Sequence, residues 1–250
     1  MEEKGHGEHT VRATRETADG EHTVRATPET EDGERRDGQA AGTGHGAHGG
    51  EFEGVLGLVL GWLMGIGRGR SARLIVELAR VGPGDRVVDV GCGPGRFLVE
   101  AAERGATAVG VDPSSQMRRL ARRRTERLRP AVTVVDGSAE RLPLDDGAAT
   151  VAWAVASFHH WSDPDAGLAE LYRVLEPGGR FLIAERLARP HTLLRHHALS
   201  SPAAEDLAHM TERAGFAGVT VGAHRIGRHQ LLVVTGHRPA AGQAPAAGGG

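Results

Sequence analysis

The residues with the clearest chemical purpose lie in one short run, Asp89-Val90-Gly91-Cys92-Gly93-Pro94-Gly95. Val87-Val88 precede it, and Phe97-Leu98-Val99-Glu100-Ala101-Ala102 follow. A β-branched stretch that ends in a glycine-dense turn and opens into a helix-forming stretch reads as strand, tight loop, helix. The glycines permit positive φ and let a ligand approach where a Cβ would otherwise stand. The turn also meets a helix N-terminus, whose first N–H groups lack intrahelical acceptors and face whatever is bound. The spacing is G-x-G-x-G. A dinucleotide fingerprint would place its third glycine one position later, where Arg96 stands.

Further residues of chemical interest follow in order. Thr107-Ala108-Val109-Gly110-Val111 reads as a buried strand that ends in Asp112. Nucleotide-binding α/β folds set an acid on the ribose hydroxyls at about this distance, roughly twenty residues past the loop. An ionised Asp offers two acceptor oxygens to two O–H donors. An acid after a strand also serves as a helix cap, but the glycine loop at this distance favours the ribose role. Val132–Val135 reads as a third strand, followed by Asp136-Gly137-Ser138-Ala139. Thr150–Ser157 reads as a fourth, leading into Phe158-His159-His160-Trp161. An imidazole with an ordinary pKa of about 6.5 suits proton transfer, which makes His159 and His160 candidate general bases. A purely structural role for them at the turn is the competing reading.

Taken in this order, the motifs resemble those of the class I S-adenosylmethionine-dependent methyltransferases. They are most similar to the small-molecule branch near the quinone-biosynthesis enzymes, methyltransferase type 11. The resemblance covers residues 70–236 and is strongest at 87–97 and 173–180. Arg173-Val174-Leu175-Glu176-Pro177-Gly178-Gly179-Arg180 resembles the family's late helix stop and turn into a fifth strand, here Phe181–Glu185. The resemblance implies S-adenosyl-L-methionine as cofactor and methyl transfer to an oxygen, nitrogen or carbon of a small molecule. It implies that Gly91, Cys92, Gly93 and Gly95 face the methionine half, while Asp89 orients the loop and adds negative potential near the cation. Asp112, with Pro113 and Met117, would serve the ribose. Asp136, Ser138 and Ala139 would serve the adenine. Two positions depart from the family. Ser138 replaces an acid that commonly accepts from the adenine amino group; its hydroxyl can still accept, but without charge, or Asp136 takes that role, while the Ala139 N–H can donate to the adenine whatever the side chain. Ala149-Thr150 replaces a Phe-Asp pair at the start of the fourth strand. A general base is needed only if the acceptor carries a proton.

The elements that must position these residues follow from the rest of the chain. The fold class expected is α/β, a doubly wound, mostly parallel sheet of seven strands with an antiparallel terminal hairpin. The hairpin is Val219–Ile226 with Gln230–Gly236, and the domain spans 51–238 with its core at 86–236. Residues 1–50 read as a disordered tail, because Gly7–Thr14 returns almost unchanged as Gly20–Thr27 and neither copy has an apolar face. A glycine/histidine linker ends that tail. His9, His22, His45 and His48 lack a fixed geometry, so no metal is expected. Within residues 51–64, Phe52, Val55, Leu56, Val59, Leu60 and Leu63 recur at helical spacing, as a helix packed on the domain or a lid over the cofactor. A second helix starts near Ser71. In the arginine-dense helix over 114–128, Met117, Leu120, Ala121 and Leu128 mark the buried stripe and the arginines the solvated side. An RNA-contacting patch is disfavoured because no aromatic residues interleave for stacking. Asp163-Pro164 and Ser201-Pro202 each open a helix. A connection between them carries His191, His196 and His197, and 239–250 reads as a second tail.

Composition narrows the function classes. The formal net charge of -2 advertises no nucleic-acid partner. Cys92 is the single cysteine, which excludes an intramolecular disulfide and suits a reducing compartment. No charged n-region and apolar core open the chain. Val55–Ile66 falls short of the roughly 20 residues a membrane span needs. The expectation is a cytoplasmic enzyme with a small-molecule acceptor and no membrane span, its oligomeric state left open. Two rivals stand beside it: a nicotinamide-dependent oxidoreductase, and a cofactor-binding scaffold without catalysis.

Overall fold

The computed structural model describes residues 70–187, 200–226 and 229–242. The tail at 1–50, the helix at 51–64 and His191, His196 and His197 lie outside the described residues. So does the tail beyond 242.

Helix α1 (Arg70–Leu78) leads into β1 (Arg86–Val90), α2 (Arg96–Glu103), β2 (Thr107–Val111), α3 (Ser115–Thr125), β3 (Val132–Val135) and β4 (Ala149–Val155). Then come α4 (Pro164–Val174), β5 (Leu175–Arg186), α5 (Ser201–Arg213), β6 (Ala217–Ile226) and β7 (His229–His237). The strands form one seven-stranded sheet in the order β3-β2-β1-β4-β5-β7-β6. Strands β1 to β5 are parallel, and β7 is antiparallel to both of its neighbours. The expected fold class holds in full.

The interior strands lack the alternation of a half-exposed sheet, because helices cover both faces. Val87, Val88, Asp89 and Val90 are all buried, as are Val151 to Val155. One core layer packs Ile75, Val76, Phe97, Leu98 and Ala121 onto Val87, Val151 and Trp153. The opposite layer packs Leu168, Leu171, Leu207 and Phe216 onto Val88, Ala152 and Ala154. Among the described residues, no helix is long and apolar enough to cross a membrane.

Three local readings are corrected. Pro177-Gly178-Gly179, expected as a turn, lies inside β5. The Gly178 N–H donates to the Arg238 carbonyl and the Arg238 N–H to the Gly179 carbonyl, so backbone just beyond β7 completes a ladder that local sequence cannot show. Pairing with β4 shifts register over this stretch, between Ala149↔Leu175 and Val151↔Arg180. In α3, Leu120 is exposed rather than buried, while Arg118 is buried. The buried positions are Met117, Ala121 and Thr125, four residues apart, and Arg118 rather than Leu120 completes the stripe.

The unexpected Thr150 has a structural reason at the amino-terminal end of the sheet. Its hydroxyl donates to Asp85 Oδ1 at 2.6 Å and accepts from the Arg86 N–H at 3.0 Å. Asp85 Oδ2 takes the Arg180 guanidinium at 2.8 Å and the Gly82 N–H at 2.9 Å. Burial pushes the Asp85 carboxyl up, but Arg180, Thr150 and Gly82 more than offset it and hold the group below its ordinary value. A carboxylate at position 150 would meet Asp85 head on. Thr150→Val keeps the shape and loses both hydrogen bonds, so it is expected to cost about 1–3 kcal/mol at neutral pH. The deficit should shrink as pH falls through the lowered pKa of Asp85 and the carboxyl takes up a proton, a change that urea unfolding at neutral and at strongly acidic pH reads directly.

Candidate active site

Because β1 to β5 run parallel, the residues that follow them gather on one rim. The glycine loop follows β1, Asp112 follows β2, Asp136 to Ala139 follow β3, and Ser157 to Trp161 follow β4. Successive strands are laid down on opposite sides of β1 and β4. The rim between those two strands is the switch point at which such sheets bind ligands.

The loop is held by backbone and by one carboxylate. The Gly91 and Cys92 N–H groups both donate to the Val111 carbonyl, at 2.8 and 3.1 Å. The Gly93 N–H donates to Asp112 Oδ2 at 2.8 Å, and the Ser114 N–H donates to Asp112 Oδ1 at 2.8 Å. Gly91 has φ 73°, and a Cβ there would stand 2.5 Å from Cβ of Ser157, whose hydroxyl donates to the Val90 carbonyl. Gly93 is the opposite case: a Cβ would meet nothing within 4 Å, so this glycine borders open space. Gly95, at φ 73°, caps α2 and packs on Ala121.

Asp112 is 6% exposed and each of its oxygens keeps a further lone pair beyond its backbone partner. Burial raises its carboxyl, with Ser114, Gly93 and Arg118 opposing and Asp136 adding to the rise. Arg118 ties three parts of the rim. Its Nη1 donates to the Asp112 and Pro113 carbonyls at 3.0 and 2.9 Å and to Asp136 Oδ1 at 2.8 Å. Pro113 and Asp136 are exposed, whereas Met117 is buried and its N–H donates to the Ser114 hydroxyl.

Asp89 is buried beside this loop and its Oδ2 has no hydrogen-bond partner among the described residues; nor does the indole Nε1 of Trp153, its sheet neighbour. Burial pushes the Asp89 carboxyl up to about 8, with the nearby Trp153 N–H opposing and Asp112 reinforcing. The side chain of Cys92 is turned into the core, so only its backbone is offered to the loop. Burial, with Asp89 and Asp112 nearby, pushes its thiol well above the ordinary value, which rules it out as a nucleophile at neutral pH.

Ser138 is half-buried, and Ala139 is buried in the second core layer, so Ala139 has its backbone alone to offer a ligand. Burial pushes Glu140 up, but its own N–H, the Ser138 hydroxyl and the Ser162 and Asp163 N–H groups hold it below its ordinary value. His159 and His160 sit on a single helical turn after β4, their rings 4.0 Å apart. The Nδ1 atom of His159 lies 2.9 Å from Oε2 of Glu185 at the end of β5. Sequence reading missed Glu185 and Arg118 as site residues. An acid closing a buried parallel strand next to the switch point is the signal that marks Glu185; the carbonyls that bury Arg118 leave no such mark.

Two cavities among the described residues lie elsewhere. One of about 230 Å³ is lined by Arg86, Thr107, Val109 and Thr133 at the amino-terminal half of the sheet, and one of about 440 Å³ by Leu142, Asp146 and Arg173. Neither touches the glycine loop.

This sheet order, with a glycine loop after β1 and an acid after β2, defines an α/β nucleotide-binding domain of the methyltransferase type. Residues 88–183 match the family model described as a methyltransferase domain. It is 43% identical over 106 residues to an uncharacterized protein of a Streptomyces fradiae transposon, covering 41% of this chain and 30% of that one. It is 36% identical over 118 residues to a demethylmenaquinone methyltransferase of Thermus thermophilus, covering 46% and 54%. The chain thus spans about half or less of the length of these curated relatives. Among solved structures it is similar to the [4+2]-cyclase SpnF, with TM-score 0.60, 21% identity and coverage of 69% and 82%. It is also similar to a SAM-dependent methyltransferase from Aquifex aeolicus, with TM-score 0.56, 22% identity and coverage of 66% and 88%. These two likenesses are of fold.

The raised Asp89 carboxyl makes a testable signature. Between about pH 4, where an unfolded Asp loses its proton, and pH 8 the folded state holds that proton and the unfolded state does not. This group therefore contributes stability at low pH that is lost as pH rises through that window. Asp89→Asn is expected to raise the thermal midpoint by several degrees at pH 8 and by little at pH 4. A constant difference between variant and parent across the window would show that Asp89 is already ionised in the folded protein.

Proposed function

We propose that this chain transfers a methyl group from S-adenosyl-L-methionine to an oxygen, nitrogen or carbon nucleophile of a small molecule. The observation that carries this reading is Asp89, a buried acid with an unpartnered oxygen beside a glycine loop that already holds Asp112. Such a rim gains by receiving a positively charged nucleoside. In the empty site this carboxyl holds its proton at neutral pH; a bound cation would draw that proton off, a gain the pyrophosphate of a nicotinamide dinucleotide, the ligand of the rival oxidoreductase reading, cannot provide.

In this reading Gly91 and Gly93 lend backbone and space to the methionine end, and Asp89 counters its charge. Asp112 accepts from the ribose hydroxyls. Asp136, Ser138 and the Ala139 backbone take the adenine, Arg118 holding Asp136 in place. When bound, S-adenosylmethionine supplies an already activated methyl, so no protein nucleophile is required, in keeping with the inert thiol of Cys92. The protein's main task is to align the acceptor, an effect worth up to about 7–11 kcal/mol in well-oriented systems. The name of the Thermus thermophilus relative supports an acceptor of the quinone class. A cytoplasmic location belongs to the same proposal and rests on the lone, reduced cysteine. The rival of a scaffold without catalysis draws on Ser138, whose hydroxyl lies beside Glu140.

Calorimetric titration of the full chain with S-adenosylmethionine, S-adenosylhomocysteine and NAD tests the proposal. The first two should bind saturably, with affinity reduced tenfold or more in Asp112→Ala, roughly the worth of one charged hydrogen bond. Binding of NAD alone would overturn the reading. Cofactor binding without methyl transfer to any acceptor would favour the scaffold.

A further inference from the structure

Helix α3 turns a strongly cationic face to solvent. Between Ser115 and Arg129 the chain carries seven arginines and one acid, Glu126, against a formal net charge of -2 for the whole sequence. Of these arginines, Arg118 alone forms an ion pair among the described residues, to Asp136. Arg119 and Arg123 lie on the outward face of α3, and Arg127 continues their line in the single turn over Glu126–Leu128. Spaced about one per turn, the three cover about 12 Å. Leu120 is 38% exposed and sits in the same face beside Arg123 and Arg124, its neighbours three and four positions on. Arg124 donates to the Pro94 carbonyl at 2.6 Å, and burial with the nearby charge of Arg96 holds its guanidinium below its ordinary value. Cations in the last turn suit the helix dipole, but like charges four residues apart, as at Arg119 and Arg123, weaken a helix. Stability alone therefore accounts neither for this face nor for the leucine in it.

We propose that the outward face of α3 is a docking surface for bilayers rich in anionic phospholipid. Headgroup phosphates take Arg119, Arg123 and Arg127, while Leu120 and the arginine stems enter the boundary with the acyl chains. A nucleic-acid backbone would take the same arginines, but it has no use for the leucine. No aromatic side chain stands among them for a base to stack on. The docked helix lies flat on the surface. It also adjoins the glycine loop, because Asp112 fixes the Ser114 N–H at its start and Arg124 reaches Pro94. Docking thus brings the rim up to the membrane surface.

Co-sedimentation of the full chain with vesicles tests this without any cofactor, so the result is independent of methyl transfer. At low salt the chain should bind vesicles of phosphatidylcholine and phosphatidylglycerol in equal parts, and not vesicles of phosphatidylcholine alone. Salt at about 1 M, where charges are screened beyond about 3 Å, should release it. The triple variant Arg119→Gln, Arg123→Gln, Arg127→Gln should lower the partition constant about 100-fold, close to fivefold per arginine. Its thermal midpoint should match or exceed the parent's, because self-repulsion along the helix is relieved. Leu120→Gln should lower partitioning about fivefold. A control triple, Arg141→Gln, Arg213→Gln, Arg225→Gln, removes equal charge from exposed positions elsewhere and should bind as the parent does. Absence of binding to the anionic vesicles would overturn the proposal, as would equal losses in the two triple variants. Parent-like binding by Leu120→Gln, together with release of the chain from vesicles by single-stranded RNA, would overturn it in favour of a nucleic-acid partner. Arg123→Gln alone, with a loss of about fivefold, supplies the same test should the triple variant not fold.

Discussion

The carboxylate of Asp112 holds the working rim together. One oxygen fixes the Gly93 N–H in the loop after β1, and the other fixes the Ser114 N–H at the start of α3. The backbone carbonyls on either side of that turn are gathered by Arg118, which reaches on to Asp136 beyond β3. Three successive strand exits are therefore registered to each other through one acid and one guanidinium. The loop's positive φ values are tolerable because its amides have these fixed acceptors, and the same arrangement leaves the Gly93 side open for a ligand.

The two ends of the sheet treat their acids in opposite ways. At the amino-terminal end, Asp85 meets Arg180, Thr150 and the Gly82 N–H, so its charge is welcome and stabilising. Four residues along the chain, Asp89 is sealed in with no cation beside it among the described residues and a second acid close by. The first arrangement maximises stability and the second forgoes it. A protein that needed only to fold would have filled position 89 with another valine. Such a stored electrostatic deficit is characteristic of binding sites, where the missing partner is the ligand.

Much of this was legible in the sequence, for identifiable reasons. Val87–Val90 and Thr107–Val111 read as buried strands because both faces are apolar, and the intervening glycine spacing placed the loop. Asp112 was legible from its distance past that loop. What could not be read depends on contacts made far along the chain. Pro177-Gly178-Gly179 has every local mark of a turn, yet it joins the ladder because Arg238 supplies partners. Leu120 fits the apolar stripe of α3 by type, but Arg118 takes the inward position because carbonyls and Asp136 wait there. Thr150 looked like a missing acid until Asp85 and the Arg86 amide were seen on either side of it. Glu185 looked like the polar end of a strand until the β4 exit turn placed His159 against it.

The position of β7 carries a consequence for how the molecule is made. Its Val234 pairs with Ile183 on one side and Val221 on the other, so β5 and β6 are joined only through a strand that the ribosome delivers after both. Until then, β5 presents a bare row of amides and carbonyls along an apolar segment, an open edge of the kind that recruits other chains. The nascent protein is thus most exposed to aggregation in the interval between synthesis of Phe181–Glu185 and emergence of Leu231–Val234. A chaperone that shields this edge would act in that interval, and a frameshift or stop codon within it would leave a nearly complete domain with an adhesive flank.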